Sequence, residues 1–165
     1  MSGMAYRVRT AEDRDVETIV GLWREFIHFH EELDDRLRTR GDSAEWFAAF
    51  LRSLLGSDRD RVVVAETAEG EVVGYAIGRD RGSVPIWEAD RFAFVSDIYV
   101  DIRHRRRGVA TALFGDLRDW FQKRGLASIE LEVVHLNPVS QAFWRALGFT
   151  DFVDRLRRGV QSGQV

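Results

Sequence analysis

Two neighbouring runs constrain the fold most: Arg61 to Glu66 (RVVVAE) and Glu71 to Arg79 (EVVGYAIGR), separated by Thr67-Ala68-Glu69-Gly70. Both runs carry β-branched residues, which suit a pleated surface. The break between them is short and ends in glycine, so the pair predicts a β-hairpin. A hairpin of this kind needs further elements to cover it, and the rest of the chain supplies them in a regular order.

Tyr6 to Arg9 reads as a short strand. From Thr10 a helix is expected: Thr10-x-x-Asp13 has nearly the capping-box spacing, and Val16, Ile19, Val20, Trp23, Phe26 and Ile27 keep a 3.6-residue rhythm. Asp42-Ser43-Ala44-Glu45 opens a second helix with Phe47, Phe50, Leu51 and Leu54 on one side. After a connection containing Gly82 and Pro85 comes a strand from Phe92 to Val100, then an arginine-rich glycine loop. A helix follows to about Lys123, with Leu113, Leu117, Trp120 and Phe121 as its apolar stripe and Gly125 as its stop. Ser128 to Val134 predicts a strand, Pro138 to Leu147 a helix with proline in its first turn, and Phe149 to Leu156 a last strand. This is one α/β domain over residues 1–158, with 159–165 expected as a frayed tail. No internal repeat or low-complexity segment interrupts it.

The stretch VDIRHRRRGVATALF, Val100 to Phe114, places four arginines and a histidine within Arg103 to Arg107. A nucleic-acid surface is one reading of such a run. The whole chain, however, carries a net charge of −3, whereas nucleic-acid binders are usually basic over a face. The other reading is a small phosphate ligand. A strand ending at Val100 and leading through glycine into a helix leaves the first helical N–H groups without acceptors, where the helix dipole adds about half a positive charge. Gly108 lets an oxyanion approach the backbone, Ala110 keeps the next turn thin, and Arg105, Arg106 and Arg107 are expected as mobile charge at the rim. No nucleic-acid partner is expected.

Other chemistry is excluded by composition. The chain has no cysteine, so disulfides, thiolate metal sites and a cysteine nucleophile are absent, and a reducing cytoplasm suits it. No apolar run approaches the ~18 residues of a membrane span, and no signal-peptide core is visible at the N-terminus. His28 and His30 sit at i, i+2 and point apart on a helix, so no metal is expected. No G-x-S-x-G elbow occurs.

The C-terminal third narrows the function. LEVVHLNPVSQAFWRALGF, Leu131 to Phe149, combines a strand, an Asn-Pro loop, a helix and a Leu-Gly-Phe exit. Together with Ile98-Tyr99-Val100 and the Arg105 to Ala110 loop, it resembles the GNAT superfamily of acyl-CoA-dependent N-acyltransferases. In that family an apolar-Val strand end precedes [Q/R]-x-x-G-x-[G/A], and a later N-x-x-[A/S]-x-x-apolar-Tyr-x-x-x-Gly-Phe follows a strand. Asn137, Ser140, Phe143-Trp144 and Gly148-Phe149 occupy the second pattern. The element order across nearly the whole chain fits as well.

The resemblance implies a single mixed, mostly antiparallel sheet, splayed between the strand ending at Val100 and the strand from Ser128, and flanked by helices. It implies acetyl-CoA as co-substrate, its pantetheine arm along Ile98, Tyr99 and Val100. The pyrophosphate is then expected on the N–H groups of Arg106, Arg107, Gly108, Val109, Ala110 and Thr111, with Asn137 and Ser140 on the cofactor side. Dimers are common in the fold, so a homodimer is a further expectation.

The reaction expected is direct attack of a primary amine, of a small molecule or a peptide, on the thioester. An amine of pKa about 10.4 is neutral only about once in 2500 at pH 7, a handicap of roughly 4.6 kcal/mol, so a carboxylate that takes a proton is needed. Glu132, five residues before Asn137, is the family-like candidate, with a solvated strand carboxylate as its plain alternative. Asp97 on the opposite wall is the second, with the holding of a strand bulge as its alternative role. Where the family carries a tyrosine acid this chain has Trp144, whose indole does not titrate, so a non-catalytic acyl-CoA sensor stands as the alternative function. IHFHEELD, Ile27 to Asp34, is expected to border the acceptor, with His30 and Asp34 as an i, i+4 pair facing it.

Overall fold

The computed structural model describes residues 6–160. They fall into two compact units, one up to Glu132 and one from Val133 onward. The first unit holds a five-stranded sheet in the order β1-β2-β3-β4-β5: Arg7–Thr10, Asp60–Glu66, Val72–Gly82, Arg91–Val100 and Ile129–Leu131. The first three pairings are antiparallel and β4–β5 is parallel, so the sheet is mixed and mostly antiparallel. The hairpin forms as its sequence predicts. Thr67 N–H bonds Glu71 O at 2.8 Å and Gly70 N–H bonds Thr67 O at 3.0 Å, with Gly70 at φ 85°.

Helix α1, Val16–Leu33, and helix α2, Ser43–Leu55, cover one face. Their apolar stripes, including Val16, Ile19, Trp23, Phe47 and Leu51, pack on Val62, Val64, Tyr75, Ile77 and Tyr99. Trp23 and Phe47 stack at 4.4 Å and lock the two helices together. The start of α1 differs from the sequence expectation. A capping bond forms at Glu12 N–H to Asp15 (2.8 Å) rather than at Thr10, and a 3₁₀ turn over Asp13–Asp15 precedes the helix. The reason is Arg9, whose guanidinium bonds the buried Asp15 at 2.7 and 2.9 Å and Glu66 at 2.7 Å. That clamp ties β1, β2 and the helix entry into one ion cluster.

Helix α3, Val109–Lys123, covers the other face, burying Leu113, Leu117 and Phe121. It lies so close to β3 that two strand positions have no room for a side chain. A Cβ on Gly74 would meet Tyr99 O at 2.9 Å and Leu113 at 3.3 Å, and one on Gly78 would meet Phe121 at 2.8 Å.

The last part of the sheet is shorter than the sequence suggests. β5 has three residues instead of the expected Ser128 to Val134, and Phe149 to Leu156 forms neither strand nor helix. Strand propensity needs a paired neighbour and a face to bury, and Phe152, Val153 and Leu156 are 79%, 79% and 92% exposed. In the second unit helix α4, Pro138–Ala146, has proline in its first turn and Asn137 as its cap. Of the expected tail, 161–165 lie outside the described residues. Among the described residues no helix is long and apolar enough to cross a membrane.

Gly74→Ala should destabilise the protein by about 1–3 kcal/mol, because strand backbone blocks the added methyl. Gly115→Ala, in α3 with nothing within 4 Å of its Cβ, should stabilise by about 0.5–1 kcal/mol. Urea unfolding of both variants checks the pair of opposite signs.

Candidate active site

The sheet forks. β4 and β5 pair at Ala93–Ile129, Phe94–Glu130 and Val95–Leu131, and there β5 stops while β4 runs on to Val100. At the same level β4 carries a bulge: Gly78 opposes Val95 and Ile77 opposes Asp97, leaving Ser96 as the extra residue. A bulge inserts one residue and so reverses which groups face which neighbour. Before it, Ala93 directs its N–H to Ser128 O of the β5 side at 2.9 Å. Beyond it, Asp101 N–H bonds Val73 O at 2.9 Å. Antiparallel alternation then turns the backbone groups of Ile98 and Val100 away from β3, toward the open side of the fork, while those of Tyr99 face β3.

The bulge sets the side chains as well. Asp97 and Tyr99 share the α1/α2 face with their cross-strand neighbours Ile77 and Tyr75, since opposed residues point to one side. Glu132 is the first residue beyond the last β5 pair, two after Glu130, which opposes Phe94. Both candidate carboxylates therefore stand just past the fork, on its two arms. Their surroundings differ. Asp97 is half-buried with no hydrogen-bond partner among the described residues, and burial pushes its carboxyl up to about 6. Glu132 acts by charge on Arg81, whose guanidinium lies 3.7 Å from the centre of the Phe94 ring.

Past Val100 the chain makes a tight loop. Asp101 is buried and accepts from Arg103 N–H at 2.8 Å and from the Arg103 guanidinium at 2.7 Å, closing a 3₁₀ turn over Ile102–His104. Arg106 at φ 60° and Gly108 at φ 79° are both left-handed, a conformation costly for Arg106. The first helical bond is Ala112 N–H to Gly108 O at 2.9 Å, so the N–H groups of Val109, Ala110 and Thr111 point out of the helix start without intrahelical acceptors. Above Gly108 nothing lies within 4 Å of where a Cβ would be. An anion approaching these N–H groups meets no side chain there.

The arginine rim is narrower than the sequence suggests. Arg105 folds back, its Nε bonding Val100 O at 2.9 Å and its guanidinium 5.2 Å from the Tyr99 ring centre. Arg107 reaches toward Tyr6 Oη at 3.4 Å, and that hydroxyl also meets the buried His104 Nδ1 at 3.1 Å. Arg103 and Arg105 thus hold the loop, and Arg106 and Arg107 are the two arginines next to Gly108.

His30 and Asp34 do not form the expected helical pair. α1 ends at Leu33, and Asp34 is extended at φ −155°, where it accepts from Arg36 N–H at 3.0 Å and from the Arg36 guanidinium. His30 is buried, with Nδ1 on Phe26 O at 2.9 Å, and desolvation lowers its pKa despite that bond. In the second unit Asn137 is buried and accepts from Ser140 N–H at 3.0 Å, so both residues build the start of α4. Trp144 is also buried and meets Phe143 and Phe149 edge to face at 4.9 and 5.2 Å.

The model of the acetyltransferase (GNAT) family matches residues 21–149. This chain belongs to the GNAT family. It is an acyltransferase by that membership, and its mixed, forked sheet is the fold of its structural neighbours. The chain is 28% identical over 128 residues to aminoglycoside N(6')-acetyltransferase type 1 of Serratia marcescens, covering 74% of this chain and 88% of the relative. Its fold superposes on a mutant of the BH1408 protein from Bacillus halodurans with a TM-score of 0.84 at 17% identity, covering 94% and 99% of the two chains. Aminoglycoside N-acetyltransferase AAC(6')-Iy, solved in complex with CoA, superposes with a TM-score of 0.74 at 22% identity, covering 98% and 97%.

Two side chains beside the candidate site escape sequence reasoning. Glu25 of α1 accepts the Tyr99 hydroxyl at 2.9 Å, and burial together with that bond raises the Tyr99 phenol to about 12. Tyr75 is fully buried on β3. Glu25 falls outside the apolar stripe and Tyr75 inside an apolar run, so neither carries a sequence signal. Only the register brings Tyr75 and Tyr99 side by side.

The raised Asp97 carboxyl has a consequence for stability. The folded protein holds that proton more tightly than the unfolded chain, for which the ordinary value is 3.8. Its contribution is therefore fully present below about 3.8 and is lost as pH rises through about 6, by at most about 3 kcal/mol. Asp97→Asn should accordingly stabilise the enzyme at pH 8 and change little at pH 4, measured by urea unfolding at both values.

Proposed function

We propose that this acetyltransferase transfers the acetyl group of acetyl-CoA to a primary amine of a small cationic molecule, by direct attack on the thioester. The observation that carries this reading is the fork: a β4 edge with no strand neighbour at Ile98 and Val100, where Arg105 holds only the Val100 carbonyl, that leads straight into the open N–H groups around Gly108, with Asp97 and Glu132 beside it. The unpaired edge suits an extended amide-bearing arm, and the loop suits a pyrophosphate. Bound acetyl-CoA supplies an activated carbonyl, so the chain needs no nucleophile of its own.

Its residues instead handle the proton of the amine. Asp97 is the better base, because a proton acceptor works best with a pKa near the working pH and burial brings Asp97 there. Glu132 adds negative charge on the other arm and favours an ammonium on arrival. Asp97 first takes a proton from the ammonium, freeing its lone pair, and releases it to water; as the C–N bond then forms and the C–S bond breaks, the nitrogen's second proton passes to Asp97 and the departing thiolate takes one from water. The Trp144 indole N–H can donate a hydrogen bond but is too weak an acid to protonate the thiolate. The Serratia relative's name makes aminoglycosides the first acceptors to try, and the second to try is a peptide amine. His30, buried on Phe26 O, and Asp34, bonded to Arg36, shape the end of α1 rather than hold the amine.

Calorimetry should show micromolar acetyl-CoA binding competed by CoA. Free-thiol release should appear with at least one of an aminoglycoside, a linear polyamine and a peptide amine. No binding would overturn the cradle, and binding with no turnover on any amine would overturn catalysis. Gly108→Val should weaken acetyl-CoA about tenfold, roughly 1.4 kcal/mol, in a folded protein.

With an accepted amine, kcat/KM should rise with pH through about 6, the Asp97 value. Asp97→Asn should remove that limb and lower the rate by tens-fold or more, while Glu132→Gln should keep the limb and lower the rate less. A limb lost in Glu132→Gln and kept in Asp97→Asn reverses the two roles.

A further inference from the structure

The sheet face under α1 and α2 contains one polar atom that the fold leaves unanswered. Tyr75 is 0% exposed, its hydroxyl is buried, and no group among the described residues bonds it. A buried hydroxyl without a partner costs about 1–3 kcal/mol, and phenylalanine would fill the same space without that cost. Tyr75 opposes Tyr99, and the next residue on that face of β4 is Asp97. Diagonal neighbours of this kind lie within reach of a long side chain. The carboxylate of Asp97, like the hydroxyl, has no hydrogen-bond partner among the described residues. Burial, followed by the charges of Asp97 and Tyr99, holds the Tyr75 phenol well above its ordinary value, so it is a hydrogen-bond donor throughout the working range.

The remaining polar groups near this face are occupied. Tyr99 donates to Glu25 at 2.9 Å, His30 bonds Phe26 O, and Arg79 of β3 bonds Asp60 at 2.7 Å. From α2 the face receives the apolar Phe47 and Leu51. Glu132 stands on the far arm of the fork near Arg81. A fully buried donor without a partner and a half-buried carboxylate thus share an otherwise satisfied patch.

We propose that Tyr75 is a positioning residue for Asp97: its hydroxyl donates to the carboxylate through one bridging water and fixes the orientation in which that carboxylate takes a proton. The assignment rests on Asp97 being the base, and it adds a residue from β3 to a reaction otherwise assigned to β4 and the loops. A donor favours the ionised carboxylate. Tyr75 therefore holds Asp97 lower than burial alone would, keeping more of it ionised near neutrality.

The test needs no acceptor amine. In protein labelled with ¹³C at aspartate carboxyls and tyrosine Cζ, the Asp97 signal is assigned by its loss in Asp97→Asn and the Tyr75 signal by its loss in Tyr75→Phe. In Tyr75→Phe the Asp97 midpoint should move up by about half a pH unit or more, a threefold or greater change in proton affinity, with acetyl-CoA binding within about twofold of wild type. An unchanged or lowered midpoint overturns the proposal. Should Tyr75→Phe not fold, the wild-type Tyr75 Cζ signal decides: it should shift with the Asp97 midpoint and stay flat in Asp97→Asn. A Cζ signal blind to Asp97 overturns the proposal too. Failure of the acetyltransfer reading would show instead as absent acetyl-CoA binding or turnover, with the Asp97–Tyr75 coupling untouched.

Discussion

The site depends on how closely α3 lies against β3. Leu113, Leu117 and Phe121 reach the strand backbone itself because Gly74 and Gly78 put nothing in the way. Each of these buried side chains contributes about 1.5–3 kcal/mol through apolar area removed from water. That contact fixes where the helix begins. A helix that starts at Val109 directly after β4 aims its first N–H groups at the end of the strand, and the left-handed Gly108 and Arg106 turn the chain through the short distance between them. Lifting α3 by the width of a methyl group would move the cradle relative to the β4 edge that feeds it.

The second determinant is a single extra residue. Were Ser96 paired in regular alternation instead of bulged, the residues turning their backbone to the open side of the fork would be 97 and 99 instead of 98 and 100. The side chains would exchange faces as well, so Asp97 would leave the α1/α2 side for the α3 side. The bulge thus sets both the backbone edge and the carboxylate in one step. It lies where β5 stops, at the Val95–Leu131 pair, so the change of parity and the opening of the fork coincide.

Much of this was legible in the sequence, for identifiable reasons. The hairpin, the three long helices and the glycine loop announce themselves through local pattern: β-branched runs, 3.6-residue stripes, and glycine where φ is positive. What the sequence concealed depends on contacts distant along the chain. The helix entry moved from Thr10 to Val16 because Arg9 captures Asp15, and no spacing rule predicts that capture. The expected Phe149 to Leu156 strand has the composition of one but finds no partner. His30 and Asp34 look like neighbours on a helix until the helix ends between them. In the arginine run, charge was legible and direction was not. Arg103 and Arg105 fold back along the loop because Asp101 and Val100 O accept from them. Of the face proposed to be catalytic, the carboxylates were visible and Tyr75 was not, since a tyrosine within VVGYAIG reads as core.

The treatment of buried aspartates separates structure from chemistry. Asp15 is clamped by Arg9, Asp101 by Arg103, and Asp80, with a fully buried carboxylate, by Arg59, Arg91 and Arg124. In the first two the arginine hydrogen bond outweighs burial and lowers the carboxyl pKa, so those groups stay ionised and stabilise the fold as pH falls toward their ordinary range. The chain therefore has arginine in abundance and places it where a negative charge must be made permanent. Asp97 receives none. An arginine there would hold its carboxylate firmly ionised and make it a poor proton acceptor, whereas burial alone brings it to about 6 at a cost in stability. A neutral donor such as the Tyr75 hydroxyl is the kind of partner such a group tolerates, because it orients the carboxylate and adjusts its proton affinity modestly without adding a charge that fixes it.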